Sequence, residues 1–113
     1  MKHKDIDDAL RQTGLPVAFN FWPGNQIPPL PYIVFTYPQN DGFYADNVNY
    51  VNVVQMEVGL YCKNKSIATE KAVERVLNEQ FGAFFKTSMY VNADAVQETI
   101  YTMEVIVNDG EQN

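Results

Sequence analysis

The stretch that most constrains the fold of this chain runs from Val51 to Tyr61 and has the sequence V-N-V-V-Q-M-E-V-G-L-Y. From Val54 onward its apolar side chains recur at every second position, and successive side chains of a β-strand point to opposite faces of a sheet. The alternation therefore predicts a half-buried central strand. One face of it carries Val54, Met56, Val58 and Leu60, and the other carries Gln55, Glu57, Gly59 and Tyr61.

The size and charge of the chain limit the classes of protein to which it can belong. Its 113 residues are the length of one domain, and we predict a single domain over residues 1–113. The net charge of -6 argues against binding to nucleic acid or to an anionic membrane, because both need clustered Lys and Arg. No apolar run is long enough for a signal peptide or a membrane span, so we expect the chain in the cytoplasm of its cell.

The first half of the chain is predicted to form one helix and one strong strand. Residues Lys2 to Thr13 have apolar side chains at helical spacing, and Gly14 is placed to end that helix. The segment from Leu15 to Pro31 is rich in proline and irregular, with at most a short edge strand where Val17, Phe19 and Phe21 alternate. Tyr32 to Tyr37 is a β-branched and aromatic strand, and Pro38 to Asn49 is a long loop that could serve in interactions.

The second half is predicted to add a helix and a hairpin. Ser66 is a plausible N-cap for a helix over Ile67 to Gln80, with Gly82 at its end. Phe84 to Val91 and Val96 to Val107 should pair as an antiparallel hairpin. In the helix we expect an apolar stripe of Ala68, Ala72, Val73, Val76 and Leu77, and a solvated face of Glu70, Lys71, Glu74 and Arg75.

Together these elements predict an α+β fold in the order α-β-β-α-β-β. We expect a mainly antiparallel four-stranded sheet with two helices packed on one face. Two parts of the sequence can each be interpreted in two ways. Pro28 to Pro31 fits a proline-rich recognition ligand as well as an extended entry into the next strand, and Trp22 belongs either to the core or to an interface.

The side chains that catalysis or a cofactor would need are missing from the sequence, so we predict that the chain is not an enzyme and has no cofactor or metal. Neither serine lies in a nucleophile elbow, and there is no glycine-rich nucleotide-binding motif. His3 lies in an N-terminal segment expected to be mobile, and Asp5, Asp7 and Asp8 are best explained as carboxylates at a helix start. Cys62 has Lys63 and Lys65 near enough to lower the pKa of its thiol, yet it lacks a histidine partner.

Several short segments carry a family resemblance that covers nearly the whole chain. They are Leu15-Pro16-Val17-Ala18, Pro31-Tyr32-Ile33-Val34, Phe43-Tyr44-Ala45-Asp46-Asn47, Val58-Gly59-Leu60-Tyr61, the lysine-bearing break before the helix with Glu70, Val73 and Glu74, and Met103-Glu104-Val105. Together they resemble the small tail-completion, or tail-terminator, proteins of long-tailed bacteriophages and prophages, the gpU-like group. The proline-rich Gln26 to Pro31 segment and Cys62 depart from the usual pattern of that group.

This resemblance implies a structural role in the virion tail. Such proteins form a ring, typically of six subunits, at the head-proximal end of a finished tail, where they stop tail-tube polymerisation and contact the head connector. The expected partners are thus other copies of the chain, the tail-tube protein and the head-completion or connector protein. Assembly contacts are expected at Phe43, Tyr44, Asp46, Asn47, Glu57 and Tyr61.

Two other hypotheses remain beside the ring subunit. The acidity and small size of the chain also suit an inhibitor or antitoxin-like module that binds a basic protein. The third hypothesis is a small enzyme that uses Cys62 as a nucleophile, which requires a reactive thiol.

Overall fold

The computed structural model describes residues 2–38, 52–91 and 96–107. The described residues form an α+β fold, as the sequence pattern predicts. Its elements are α1 (His3–Arg11), β1 (Val17–Phe19), β2 (Tyr32–Thr36), β3 (Asn52–Lys63), α2 (Ile67–Phe81), β4 (Phe85–Val91) and β5 (Val96–Val107).

The five strands form one sheet in the order β1-β2-β3-β5-β4. The central pair is β3 and β5, which run antiparallel in register from Asn52 opposite Val107 to Lys63 opposite Val96. The predicted hairpin of β4 and β5 is confirmed, with Phe85 opposite Thr102. The predicted central strand is also confirmed, and it continues past Tyr61 to Lys63 because its partner β5 is equally long.

The prediction of four strands in a mainly antiparallel sheet was incomplete, because β1 is a fifth strand and pairs parallel to β2. It has only three residues, too few for a periodic signal to stand out from the proline-rich segment around it. The strand ends because Asn20 adopts a left-handed conformation (φ 69°), while its N–H donates to the carbonyl of Phe35 at 2.9 Å. The predicted alternation therefore stops before Phe21, which is exposed.

The hydrophobic core lies between the two helices and one face of the sheet. Met56, Val58 and Leu60 of β3 are fully buried in it, which confirms the face predicted from their alternation. Both helices contribute to the same cluster, so they cover the same face. Their core side chains are Ile6, Leu10, Val73 and Leu77.

Local signals in the sequence set the helix ends. The Ser66 hydroxyl accepts a hydrogen bond from the Thr69 N–H at 3.3 Å and caps α2, as predicted. Gly82 ends α2 with φ 92°, a conformation that glycine adopts without a steric penalty. Helix α1 ends at Arg11, before the predicted Thr13, and Gly14 follows with φ 83°.

The predicted faces of α2 were partly wrong. Ala68 and Ala72 are exposed, whereas Glu70, predicted to be solvated, is only 3% exposed. Glu74 is half-buried. The Glu70 carboxylate instead meets two cations from outside the helix, Lys65 from the segment before α2 and Lys86 from β4.

Candidate functional site

The sheet face that points away from the helices is the candidate functional surface, which we call the uncovered face. On β3 it carries the residues that alternate with the buried ones, and Gln55, Glu57 and Tyr61 are all partly exposed there, as predicted. Among the described residues no helix packs on this side. From the strand registers, its central positions are Tyr32, Val34, Thr36, Gln55, Glu57, Gly59, Tyr61, Glu98, Ile100 and Thr102.

Tyr61 lies flat across the middle of the uncovered face because its neighbour two positions earlier is Gly59. A Cβ on Gly59 would approach Cε1 of Tyr61 to 3.0 Å, so the ring occupies the space that a side chain would fill. The Tyr61 hydroxyl donates to Oε2 of Glu98 at 2.6 Å. Burial, and then this hydrogen bond, raise the pKa of the Tyr61 phenol well above its ordinary value. The residue is therefore a fixed hydrogen-bond donor rather than an acid or base near neutral pH.

An aromatic group continues from Tyr61 toward the edge of the sheet at β1. The rings of Tyr61 and Tyr32 stack at 5.3 Å between centroids, and Trp22 meets Tyr32 edge-on at 5.8 Å. The indole Nε1 of Trp22 is buried and has no hydrogen-bond partner among the described residues. Because Trp22 packs against Tyr32, it lies on the uncovered face and outside the core cluster between sheet and helices. That Trp22 belongs to an interface stays a prediction.

The opposite edge of the sheet exposes large apolar side chains. On β4, Phe85 is 82% exposed and Met89 is 56% exposed. On the same face, but at the end of the central strands β3 and β5 and not on the edge strand, Val53 and Ile106 lie opposite each other and are 63% and 50% exposed. Apolar exposure of this size along an edge strand is unusual for a monomer and is typical of a surface that meets another protein.

Carboxylates interrupt this apolar surface. Glu57 and Glu104 form no ion pair within the described part of the chain, and Glu98 is held by the hydroxyl of Tyr61. By the alternation of β3, the exposed Lys63 lies at the end of the same face. The uncovered face is thus apolar and aromatic with mainly negative charge, and this composition suits a protein partner.

The structure describes two of the six residues that were predicted to form assembly contacts. Glu57 and Tyr61 both lie on the uncovered face, on the same strand. The other four predicted residues, Phe43, Tyr44, Asp46 and Asn47, lie outside the described residues. Phe85 and Met89 were not among the residues predicted to form this surface. Their alternation with Lys86 and Ser88 was a usable signal, but it does not say which side of the strand is covered.

A second cluster of charged side chains lies on the helix side of the sheet and is a structural brace. Lys86 Nζ lies 2.8 Å from Oε1 of Glu70 and 2.6 Å from Oε2 of Glu74. Lys65 lies 3.1 Å from the same Glu70 carboxylate, and the hydroxyl of the fully buried Tyr101 donates to Glu74 at 2.9 Å. Both carboxylates are thus held by cations or a hydroxyl, and the cluster ties α2 to β4 and β5.

His3 does not behave as the sequence predicts. Its ring is partly buried and packs against Phe19 and Phe35 at centroid distances of 4.6 and 5.5 Å. Its Nδ1 lies 3.0 Å from the hydroxyl of Tyr37. The expected mobile surface histidine is therefore part of an aromatic cluster, because α1 begins at His3 and brings the ring onto the strands.

Cys62 is also unlike the reactive thiol that the third hypothesis requires. It is buried, and Lys63 and Lys65 do not lower the pKa of its thiol. Burial, and then the negative charge of Glu70, instead raise that pKa, because Lys65 is directed to Glu70.

We therefore expect the thiol of Cys62 to react slowly with a thiol reagent at neutral pH. Folded protein should be labelled at least roughly tenfold more slowly than the same chain in denaturant, since the folded state both buries the sulfur and disfavours its thiolate. The measurement is the absorbance of the released chromophore against time in buffer and in guanidinium. Equal rates in the two solutions would restore the hypothesis of a reactive cysteine.

Among the described residues, no three His, Cys, Asp or Glu side chains are grouped so that they could hold a metal ion. Nor is either described helix long and apolar enough to cross a membrane. Comparison with protein-family models, with curated proteins and with solved structures finds no match for this chain.

Proposed function

We propose that this chain is a structural subunit of a bacteriophage or prophage tail, of the tail-terminator kind. Several copies form a ring at the head-proximal end of the tail, end the polymerisation of the tail tube and join the tail to the head connector. The proposal rests on the sequence resemblance and on the uncovered face, which gives a subunit of this fold a surface for its neighbours.

The observation that carries the proposal is the apolar edge of the uncovered face. Phe85 and Met89 are more than half exposed on β4, whose outer edge pairs with no described strand. An unpaired, apolar edge strand is a liability in a free monomer, and proteins keep such an edge when another subunit covers it. In a ring, each subunit contacts the next through two different surfaces of the chain. The edge strands β1 and β4 are unlike each other and lie on opposite sides of one sheet.

The experiment that tests this function is assembly with tail-tube protein. Sedimentation of the purified chain, alone and mixed with tail tubes, should show an oligomer, and electron microscopy should show tubes of limited length capped at one end. A chain that stays monomeric and leaves tube growth unchanged would contradict the proposal.

The Glu57→Lys substitution should separate assembly from folding. Glu57 is partly exposed between Thr36 and Thr102, so a lysine fits there and the free energy of unfolding should change by no more than about 0.5 kcal/mol. Reversing the charge in the middle of the uncovered face should weaken oligomer formation by about tenfold or more. Both quantities are measured on the same sample, by thermal unfolding and by sedimentation.

The matched control is Glu79→Lys, which makes the same charge change at an exposed position of α2. It should assemble as the original chain does. If both variants lose assembly equally, net charge and not the uncovered face controls association, and the assignment of the surface is wrong.

The unpaired carboxylates favour one alternative, an acidic module that binds and inhibits a basic protein. Glu57 and Glu104 would then meet cations of a single enzyme and not of virion proteins. Affinity purification decides between the two: recovery of one basic enzyme favours the inhibitor, and recovery of tail-tube and connector proteins favours the tail subunit.

A further inference from the structure

A groove of about 760 Å³ lies beside the short connection between α2 and β4. At this point β5 continues past the beginning of β4, since the ladder between them starts at Phe85 opposite Thr102. No described strand therefore pairs with Met103 or Glu104 on that side of β5, and the described residues leave the space beside them open. The groove is lined by Gln55, Ala83, Phe84, Phe85, Thr102, Met103 and Glu104.

The walls of this groove are mainly apolar, and Phe84 and Met103 are packed against the core. Phe84 packs edge-on against the fully buried Tyr101 with 5.1 Å between centroids, so one wall is anchored in the core. Met103 is buried and fixed by its position opposite Met56 in the central ladder. Phe85 forms the other wall and turns most of its ring to solvent. Such a site takes one large apolar side chain as an anchor, which is how hot spots of protein interfaces are built.

The rim of the groove is polar and negatively charged. Glu104 lies opposite Gln55 on the uncovered face, and Glu57 follows two positions further along β3. Neither carboxylate forms an ion pair with a described cation, and the lining of the groove contains no Lys, Arg or His. Lysine or arginine beside the anchoring side chain would meet these carboxylates, and the net charge of -6 would favour the approach of such a partner.

We propose that this groove binds an extended segment of another protein in which an aromatic or aliphatic side chain is flanked by Lys or Arg. The apolar side chain enters between Phe84, Phe85 and Met103, and a basic neighbour pairs with Glu104. An open groove at the end of a strand edge fits an extended chain better than a small molecule, which needs an enclosed pocket. The inference goes beyond the ring function, and because Phe85 also lies on the edge that a ring neighbour would cover, it concerns a subunit whose β4 edge is free.

The test uses a peptide that carries this pattern and two that break it. The probe is an acetylated and amidated hexapeptide of sequence Thr-Lys-Phe-Thr-Lys-Thr, titrated into the full chain and followed by amide chemical shifts. One control peptide has Gly in place of Phe, and the other has Glu in place of both Lys. We expect saturable binding of the probe, with shifts centred on residues 83–85 and 102–104, and at least about tenfold weaker binding of each control.

Two variants of the chain test the two halves of the groove. Ala83→Trp places a large ring in the groove from an exposed position, so it should block the anchor while the chain stays folded. Glu104→Lys should weaken binding by about tenfold or more through charge reversal, and Glu79→Lys should not. Thermal unfolding of each variant verifies that the fold is retained.

Three results would overturn the proposal. The first is equal binding of the probe and of the Gly peptide, and the second is an equal loss of binding in Glu104→Lys and Glu79→Lys. The third is that Ala83→Trp and Glu104→Lys leave peptide binding unchanged but alter the sedimentation of the chain without peptide. That result would make the groove a contact between copies of the chain. The capping of tail tubes is measured in a separate experiment. If the chain does not cap tubes, the peptide titration still shows whether the groove binds its segment.

Discussion

Met56→Asp is expected to unfold the chain. Met56 is fully buried in the middle of β3, opposite Met103 of β5, and belongs to the cluster that both helices share. A carboxylate at this position would be surrounded by apolar side chains and separated from water. Burying an unpaired charge in this way costs about 4 kcal/mol or more, against a total stability of about 5–15 kcal/mol for a domain of this kind.

The measurement is urea unfolding followed by circular dichroism, with two matched variants. Gln55→Asp puts the same carboxylate one residue away on the uncovered face, where water reaches it, and should cost less than about 1 kcal/mol. Met56→Leu keeps the volume and the apolar character and should cost less than about 1.5 kcal/mol. A native unfolding midpoint for Met56→Asp would show that this side of β3 does not face the core.

The alternation of β3 was predictable because it is a local property. Val54, Met56, Val58 and Leu60 are buried and Gln55 and Glu57 between them are partly exposed, while Gly59 is buried beneath the ring of Tyr61. A strand between a core and an open face imposes this period on the side chains whatever lies further along the chain. The caps at Ser66 and Gly82 were predictable for the same reason, since each depends on residues within one helical turn.

The exposure of Phe85 and Met89 could not be predicted from their own residue types. Both are large and apolar, and the hairpin signal says only that β4 pairs with β5. β5 pairs on its other side with β3, and this leaves β4 at the edge of the sheet. The pairing joins residues that are 33 to 55 positions apart in the chain, from Lys63 with Val96 to Asn52 with Val107. The candidate surface is therefore a product of the strand order, which no local pattern encodes.

The burial of Glu70 was missed because its cations come from outside its helix. Within α2 the charges at and near Glu70 and Glu74 follow the spacing of a solvated face. The structure instead brings Lys65 from the segment before the helix and Lys86 from β4, sixteen positions after Glu70. Helical periodicity contains no information about either partner.

Glu70→Gln is expected to destabilise the fold by about 1.5–3 kcal/mol at neutral pH. The substitution keeps the shape of the side chain but removes the charge that Lys65 and Lys86 meet, and hydrogen bonds to charged groups contribute about this much. We do not expect the larger cost of a fully buried pair, because Lys65 and Lys86 are about 50% and 36% exposed and water screens their charges. Glu79→Gln, at an exposed position of the same helix, is the control and should change stability by no more than about 0.5 kcal/mol.

The effect of Glu70→Gln should depend on pH in a defined direction. Burial raises the pKa of the Glu70 carboxyl, but the hydrogen bonds and charges of Lys86 and Lys65 outweigh it and lower the pKa below its ordinary value. A carboxyl with a lowered pKa in the folded state stabilises the fold above the unfolded value of about 4.3, and this contribution is lost as the pH falls through the folded value. The difference in unfolding free energy between the two proteins should therefore be constant near neutral pH and shrink in acid. A difference that grows as the pH falls would mean that Glu70 is held in its protonated form, and the brace between α2 and β4 would not be ionic.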